Sequence, residues 1–151
     1  MIELEAPKEY LTELLIASDH AGYELKTELQ KALPDLPWRD LGTHGNESVD
    51  YPDFADLMAI ELQKETQFGV LICGSGQGIA IQANRHRNLR AALCWNESIT
   101  TLSRLHNNAN VICLGGRWIV TGEAANLVNL FLDTPFEGGR HLRRVQKLGC
   151  Q

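Results

Sequence analysis

Short apolar runs alternate along the whole chain with stretches whose apolar positions recur every three or four residues. Leu14-Leu15-Ile16-Ala17-Ser18, Trp38-Arg39-Asp40-Leu41, Gly69-Val70-Leu71-Ile72-Cys73, Ala91-Ala92-Leu93-Cys94-Trp95 and Val111-Ile112-Cys113-Leu114 read as five strands. The second is the weakest. The third is apolar throughout, as a strand covered on both faces must be. Leu25, Leu29 and Leu33 mark one face of a first helix, ended by Pro34 and Pro37. Pro52 suits the first position of a second helix, whose buried stripe is Phe54, Leu57, Met58 and Leu62. A short apolar helix runs through Ile81 and Ala83, and a fourth carries Ile99, Leu102 and His106 on one side. Thr121 reads as the cap of a fifth, with Ala125, Val128 and Leu132 inward. After the break at Glu137-Gly138-Gly139, a basic helix runs from about Arg140 to Leu148. Five such units predict an α/β fold: a parallel sheet with helices on both faces.

Length and composition narrow this further. The chain has 151 residues, 44% hydrophobic and 22% charged, which fits one globular domain over 1–151. Within it, 1–13 is a leader to which the sequence assigns no role, and 138–151 is a C-terminal basic helix and tail. The net charge of 14 − 19 = −5 offers no electrostatic reason to bind nucleic acid or an anionic membrane. No apolar run approaches the roughly 18 residues of a membrane span, and the acidic start is unlike a signal peptide. Cys73, Cys94, Cys113 and Cys150 form no CxxC pair, and three of them sit in strand-like runs. A reduced, cytoplasmic protein is expected.

Ligands of open α/β sheets bind beyond the carboxyl ends of the strands, so the chemistry is sought there. Strand one ends in Ser18-Asp19-His20-Ala21-Gly22, with no GxGxxG fingerprint. Asp19-His20 is either functional or a helix cap. Asp40, at the end of strand two, reads as a loop or capping acid. Cys73-Gly74-Ser75-Gly76-Gln77-Gly78 carries more information. Its glycines let backbone approach a ligand, and a following helix start favours anions and thiolates. Cys73 is then either a reactive thiol or a small buried hydrophobe. His106-Asn107-Asn108 closes the fourth helix; His106 is either a core residue or a proton shuttle. Arg140 and Arg144, four apart on one helix face, suit a phosphate dianion, and Arg117 beyond strand five can join them. Arg85-His86-Arg87 and Arg90 read as solvated surface. The histidines lack metal-ligand spacing and neighbouring acids, so no metal is expected.

Taken together, six stretches in one order become recognisable: Ser18 to Gly22, Asp50-Tyr51-Pro52, Cys73 to Gly78, Ala83-Asn84, Ile99 to Asn110 and Glu137 to His141. From about Leu14 to Leu148 the chain resembles the type B ribose-5-phosphate isomerases, a family that includes the galactose-6-phosphate isomerase subunits. The resemblance implies a Rossmann-like three-layer sandwich with a five-stranded parallel sheet, and a homodimer (a tetramer is left open) with active sites between subunits. It implies interconversion of ribose 5-phosphate and ribulose 5-phosphate through an enediolate, without metal or other cofactor. Cys73 would be the base, Ser75 would pass protons between the oxygens, and His106 would open the furanose ring with Asp19 assisting. Gly74, Gly78 and Asn107 would offer N–H groups to the enediolate. His20, Arg117, Arg140 and Arg144 would hold the phosphate, some from the partner subunit, and Tyr51 would line the sugar pocket. Some relatives place a glutamate base after the third glycine; Ile79 stands there. Two alternatives stay open: an isomerase of a 6-phosphorylated hexose such as allose or galactose 6-phosphate, and a catalytically silent sugar-phosphate sensor.

Overall fold

The computed structural model of the protein describes residues 5–149; Cys150 and the first four residues of the leader lie outside them. The strands are β1 Glu13–Ser18, β2 Trp38–Asp40, β3 Gln67–Cys73, β4 Ala91–Leu93 and β5 Val111–Gly115. They pair only in parallel, in the spatial order β2-β1-β3-β5-β4. The helices are α1 Tyr23–Ala32, α2 Tyr51–Glu61, α3 Gln77–Ala83, α4 Glu97–Leu105, α5 Thr121–Asp133 and α6 Arg140–Gln146, and a 3-10 turn spans Pro7–Glu9 in the leader.

Alternate strand residues face opposite sides of the sheet, and each side has its own core. Leu14, Ile16, Val70, Ile72, Ile112 and Leu114 are covered by Leu25 and Leu29 of α1 and Leu127, Val128 and Phe131 of α5. Leu15, Ala17, Leu71, Cys73 and Cys113 face Met58 of α2 and Ile79, Ala80 and Ala83 of α3. The result is a three-layer α/β sandwich, as expected. No helix among the described residues is long and apolar enough to cross a membrane.

The amphipathic reading of α4 is corrected. Its buried residues are Thr100, Ser103 and Arg104, while Leu102 is 41% exposed. The two hydroxyl side chains are tolerated inward because they are satisfied locally: the Thr100 hydroxyl donates to the Asn96 carbonyl and Ser103 to that of Thr100, both at 2.8 Å. His106 therefore caps a helix whose buried residues are polar and whose Leu102 faces out, and its half-exposed ring is not a core residue. Smaller corrections follow packing as well. Pro52 is the second residue of α2, and Ala55 and Ala59 are buried where Phe54 and Leu57 were expected, because small side chains let α2 lie close to the layer beneath. Ile81 is exposed, and Ala124 is fully buried beside Ala125, which packs partly buried on the same core. Val120, not Thr121, precedes α5 as its cap, β4 ends before Trp95, and α6 ends at Gln146. Arg90 is not solvated surface; its Nε donates to the Asn108 carbonyl at 2.7 Å.

Asp40 has a structural task. Lys26 is 1% exposed, and its ammonium donates to both Asp40 carboxylate oxygens at 2.6 and 2.7 Å. The same carboxylate accepts the Gly42 N–H at 2.8 Å, which fixes the turn out of β2. Strand order reverses between β1 and β3, because the chain moves to one side for β2 and to the other for β3, β5 and β4. That switch opens a crevice at the carboxyl edge.

Candidate active site

Register sets which loops meet at this crevice. Ser18 stands opposite Ile72, and Cys73 opposite Gly115. The segments Asp19-His20, Cys73-Gly74-Ser75 and Gly116-Arg117-Trp118 thus leave the sheet side by side. Two backbone bonds lace the last two together: Gly116 N–H donates to the Cys73 carbonyl at 2.8 Å and Arg117 N–H to that of Gly74 at 3.1 Å. With Tyr51 and Gly78 they line a cavity of about 550 Å³.

The glycine turn is shaped for close approach. Gly76 has φ +78°, and a Cβ there would meet Leu93 Cδ1 at 2.7 Å and the Leu114 carbonyl carbon at 2.9 Å. At Gly78 a Cβ would come within 2.5 Å of the Tyr51 ring, so Tyr51 at the start of α2 rests directly on the turn. The exposed Ser75 hydroxyl accepts the Gln77 N–H at 3.3 Å, which leaves its own proton to donate.

The groups from β1 are oriented too. His20 Nδ1 accepts the Val49 N–H at 3.2 Å, so the neutral ring carries its proton on Nε2. Asp19 is 5% exposed and accepts the Gly22 N–H on Oδ1 at 3.0 Å. It supports the entry to α1 and lines the cavity at once. Among the described cysteines, burial pushes the Cys113 thiol well up and raises that of Cys94, whose Sγ donates to the Ser103 hydroxyl oxygen at 4.0 Å. Those two are held as thiols inside the protein. Cys73 alone borders the cavity.

His106, Asn107, Arg140 and Arg144 do not line this cavity. They lie where α4 ends and α6 begins. The His106 ring stacks on His141 with centroids 4.2 Å apart and planes at 12°. Glu137 Oε2 lies 3.7 Å from Nε2 of each ring. Burial, aided by His106, Arg140 and Arg144 and opposed by Glu137, holds the His141 imidazole below its ordinary value. Arg140 and Arg144 share an exposed face of α6, as their spacing predicts. Asn107 borders a neighbouring groove of about 540 Å³ with Trp95, Ile99, Leu102 and Leu148.

An acid does stand beside two histidines, contrary to the linear reading. Glu137 and His141 are four residues apart, a spacing that joins side chains around a helix start. With His106 their donor atoms lie within 4.8 Å of one another. The set does not fit a metal well. Arg140 Nε donates to the His141 Nε2 that an ion would need, at 3.4 Å, and imidazoles stacked face to face do not aim both lone pairs at one point. The other site residue missed from sequence is Trp118, which is 83% exposed on the cavity rim. Its only signal was its place next to Arg117.

The fold and the crevice define an α/β protein with a polar ligand cavity at the sheet's topological switch, holding a thiol, a hydroxyl, an imidazole and a guanidinium. Residues 14–148 match the family model described as Ribose/Galactose Isomerase, and the chain belongs to that family. It is similar to the ribose-5-phosphate isomerase B of Escherichia coli K12, with 36% identity over 141 residues, 91% of this chain and 95% of that protein. Among solved structures it is similar to the ribose 5-phosphate isomerase of Thermotoga maritima, with TM-score 0.87, 46% identity and coverage of 91% and 97% of the two chains. It is also similar to ribose-5-phosphate isomerase B of Mycoplasma genitalium with bound ribulose-5-phosphate, with TM-score 0.85, 40% identity and coverage of 91% and 94%.

Proposed function

We propose that this protein interconverts ribose 5-phosphate and ribulose 5-phosphate through an enediolate, with neither metal nor cofactor. The observation that carries the reading is the cavity where Cys73 and Ser75 meet Asp19, His20 and Arg117 at the switch point. The similar Mycoplasma genitalium enzyme, solved with bound ribulose-5-phosphate, supports a pentose phosphate as substrate.

The proposed steps balance within the sugar. The Cys73 thiolate takes the C2 proton of the open-chain aldose, and the electron pair moves into a C1–C2 enediolate. Ser75 moves a proton between O1 and O2. Cys73 returns its proton to C1, leaving C1 reduced and C2 oxidised. Backbone N–H groups of Gly74 and Gly78 stabilise the oxygen on which charge develops; losing one such donor typically costs on the order of a hundredfold or more. His20 and Arg117 hold the phosphate, and Tyr51, fixed over Gly78, walls the sugar.

His106, Asn107, Arg140 and Arg144 enter this scheme from a second copy of the chain. Two observations support a homodimer. These residues lie away from the cavity of their own chain, and beside them Trp95, Leu102 and Leu148 expose 63%, 41% and 51% of their surface along one groove. Apolar exposure of that kind marks an interface. In the pair, His106 of one subunit opens the furanose ring in the other's cavity with Asp19 assisting, Asn107 adds a donor to the enediolate, and the α6 arginines complete the phosphate site.

The test is conversion of ribose 5-phosphate by wild type and Cys73→Ala in metal-free buffer. Turnover that disappears in the variant is expected. Turnover that survives removes Cys73 as base. No turnover by wild type, with turnover of a hexose 6-phosphate, moves the substrate to the larger sugar; ligand binding without turnover of either leaves a sensor.

A further inference from the structure

Arg104 is the largest fully buried side chain among the described residues, and the steps above do not use it. Its guanidinium carbon lies 5.3 and 5.6 Å from the centroids of the Phe68 and Phe131 rings, which meet edge to face. Nε donates to the Thr134 carbonyl at 3.0 Å, and Nη1 donates to Asn108 Oδ1 at 3.0 Å and to the Ala109 carbonyl. Burial pushes this guanidinium down to about 10, so it stays charged at neutral pH.

These acceptors lie at the roots of the His106 corner. His106 falls between Arg104 and Asn108, and Asn108 holds the corner in a left-handed conformation at φ 47°. The Asn108 N–H donates back to the Arg104 carbonyl at 3.1 Å. On the other side, Thr134 begins the connection to Glu137, whose N–H donates to the Leu105 carbonyl at 3.0 Å. Arg104 thus ties together both segments that carry the His106, Glu137 and His141 cluster.

The leader reaches the same guanidinium. Tyr10 packs on Phe68 at 6.0 Å between centroids. Burial raises the Tyr10 phenol above its ordinary value, so it stands near the guanidinium as a neutral hydroxyl, while Nη2 of Arg104 has no hydrogen-bond partner. Lys8 anchors the segment to Asp133 at the end of α5, at 2.8 Å. Tyr10 lies before Leu14, where the family match begins.

We infer that Arg104, closed over by Tyr10 of the leader, is a positioning residue for His106, which gives the leader a part in the ring-opening step. This rests on the role proposed for His106. Positioning of this kind has leverage, since a displacement of about 1 Å can cost on the order of a hundredfold in rate.

The test separates ring opening from proton abstraction. Ribulose 5-phosphate cannot close a furanose ring, because its 5-oxygen carries the phosphate. Exchange of its C1 hydrogen with solvent deuterium, followed by NMR, therefore needs the base but not the ring-opening residue. Conversion of ribose 5-phosphate needs both. Arg104→Lys keeps the charge but loses the planar fork, and Tyr10→Phe removes only the hydroxyl. Conversion is expected to fall about tenfold in Arg104→Lys and about threefold in Tyr10→Phe, with exchange within about twofold of wild type. His106→Ala serves as the reference for that selective pattern. Conversion and exchange falling in proportion, or no loss in either variant, would overturn the inference. If His106→Ala itself loses both together, the reading of His106 fails and the positioning role falls with it. Tyr10→Phe keeps the test decisive if Arg104→Lys does not fold.

Discussion

The crevice around Cys73 and the corner around His106 are built on opposite principles. At the crevice, backbone does the placing. Parallel register sets Cys73 opposite Gly115, and glycines at 76 and 78 bring the turn against Leu114 and Tyr51. At the corner, side chains do it: a buried guanidinium holds carbonyls from both converging segments, and two imidazoles stack above one carboxylate. A backbone-built site tolerates change in its surroundings but not in its glycines. A site built by side chains inherits every defect of the residues beneath it.

This contrast can be broken by substitutions that should fall on one side of it. The largest effect is expected for Cys73→Ala, which should lower both C1 exchange and aldose conversion by about a thousandfold, as loss of a general base does. Persistent exchange would show that another group abstracts the proton. Next comes His106→Ala, for which conversion should fall by about a hundredfold while exchange stays near wild type. Parallel loss would erase the distinction between the two regions. Arg140→Ala and Arg144→Ala should each raise KM for the phosphorylated sugar by about tenfold with a smaller change in kcat, since each removes a charge-assisted bond. Unchanged KM in both would exclude α6 from the phosphate site.

The smallest effect concerns stability. The folded protein holds His141 below its ordinary imidazole value, so the unfolded chain binds the proton more readily. Stability should then be retained near and above pH 6.5 and decline as pH falls below it through the folded value. Thermal unfolding of His141→Gln across that window should show a flatter acid limb than wild type. An unaltered limb would mean that the stacked pair does not set it.

The same contrast decides how much could be read from the chain. Strands with short-range apolar patterns, such as Gly69–Cys73, appeared where expected, and with them the loops that carry Asp19, His20, Cys73 and Arg117. Their meeting follows from strand order and register alone. α4 did not follow its pattern. Its apolar residues suggested a buried His106, but Arg104, polar and fully buried, turned the other face inward. No periodicity reports a guanidinium held by carbonyls 5 and 30 residues away. Glu137 and His141 were invisible as a pair with His106 for the same reason, since 31 residues of chain, counted from 106 to 137, separate partners that only the fold brings together.

The central claim is that the Cys73 crevice of one subunit and the His106 corner of its partner form one isomerase centre. Mixing Cys73→Ala with His106→Ala subunits, after denaturation and joint refolding, tests it most directly. Random pairing makes half the dimers mixed, each with one intact site of two, so about a quarter of wild-type ribose 5-phosphate turnover should return from two inactive parents. Mixed dimers that form and remain inactive would contradict the account and confine each site to a single chain.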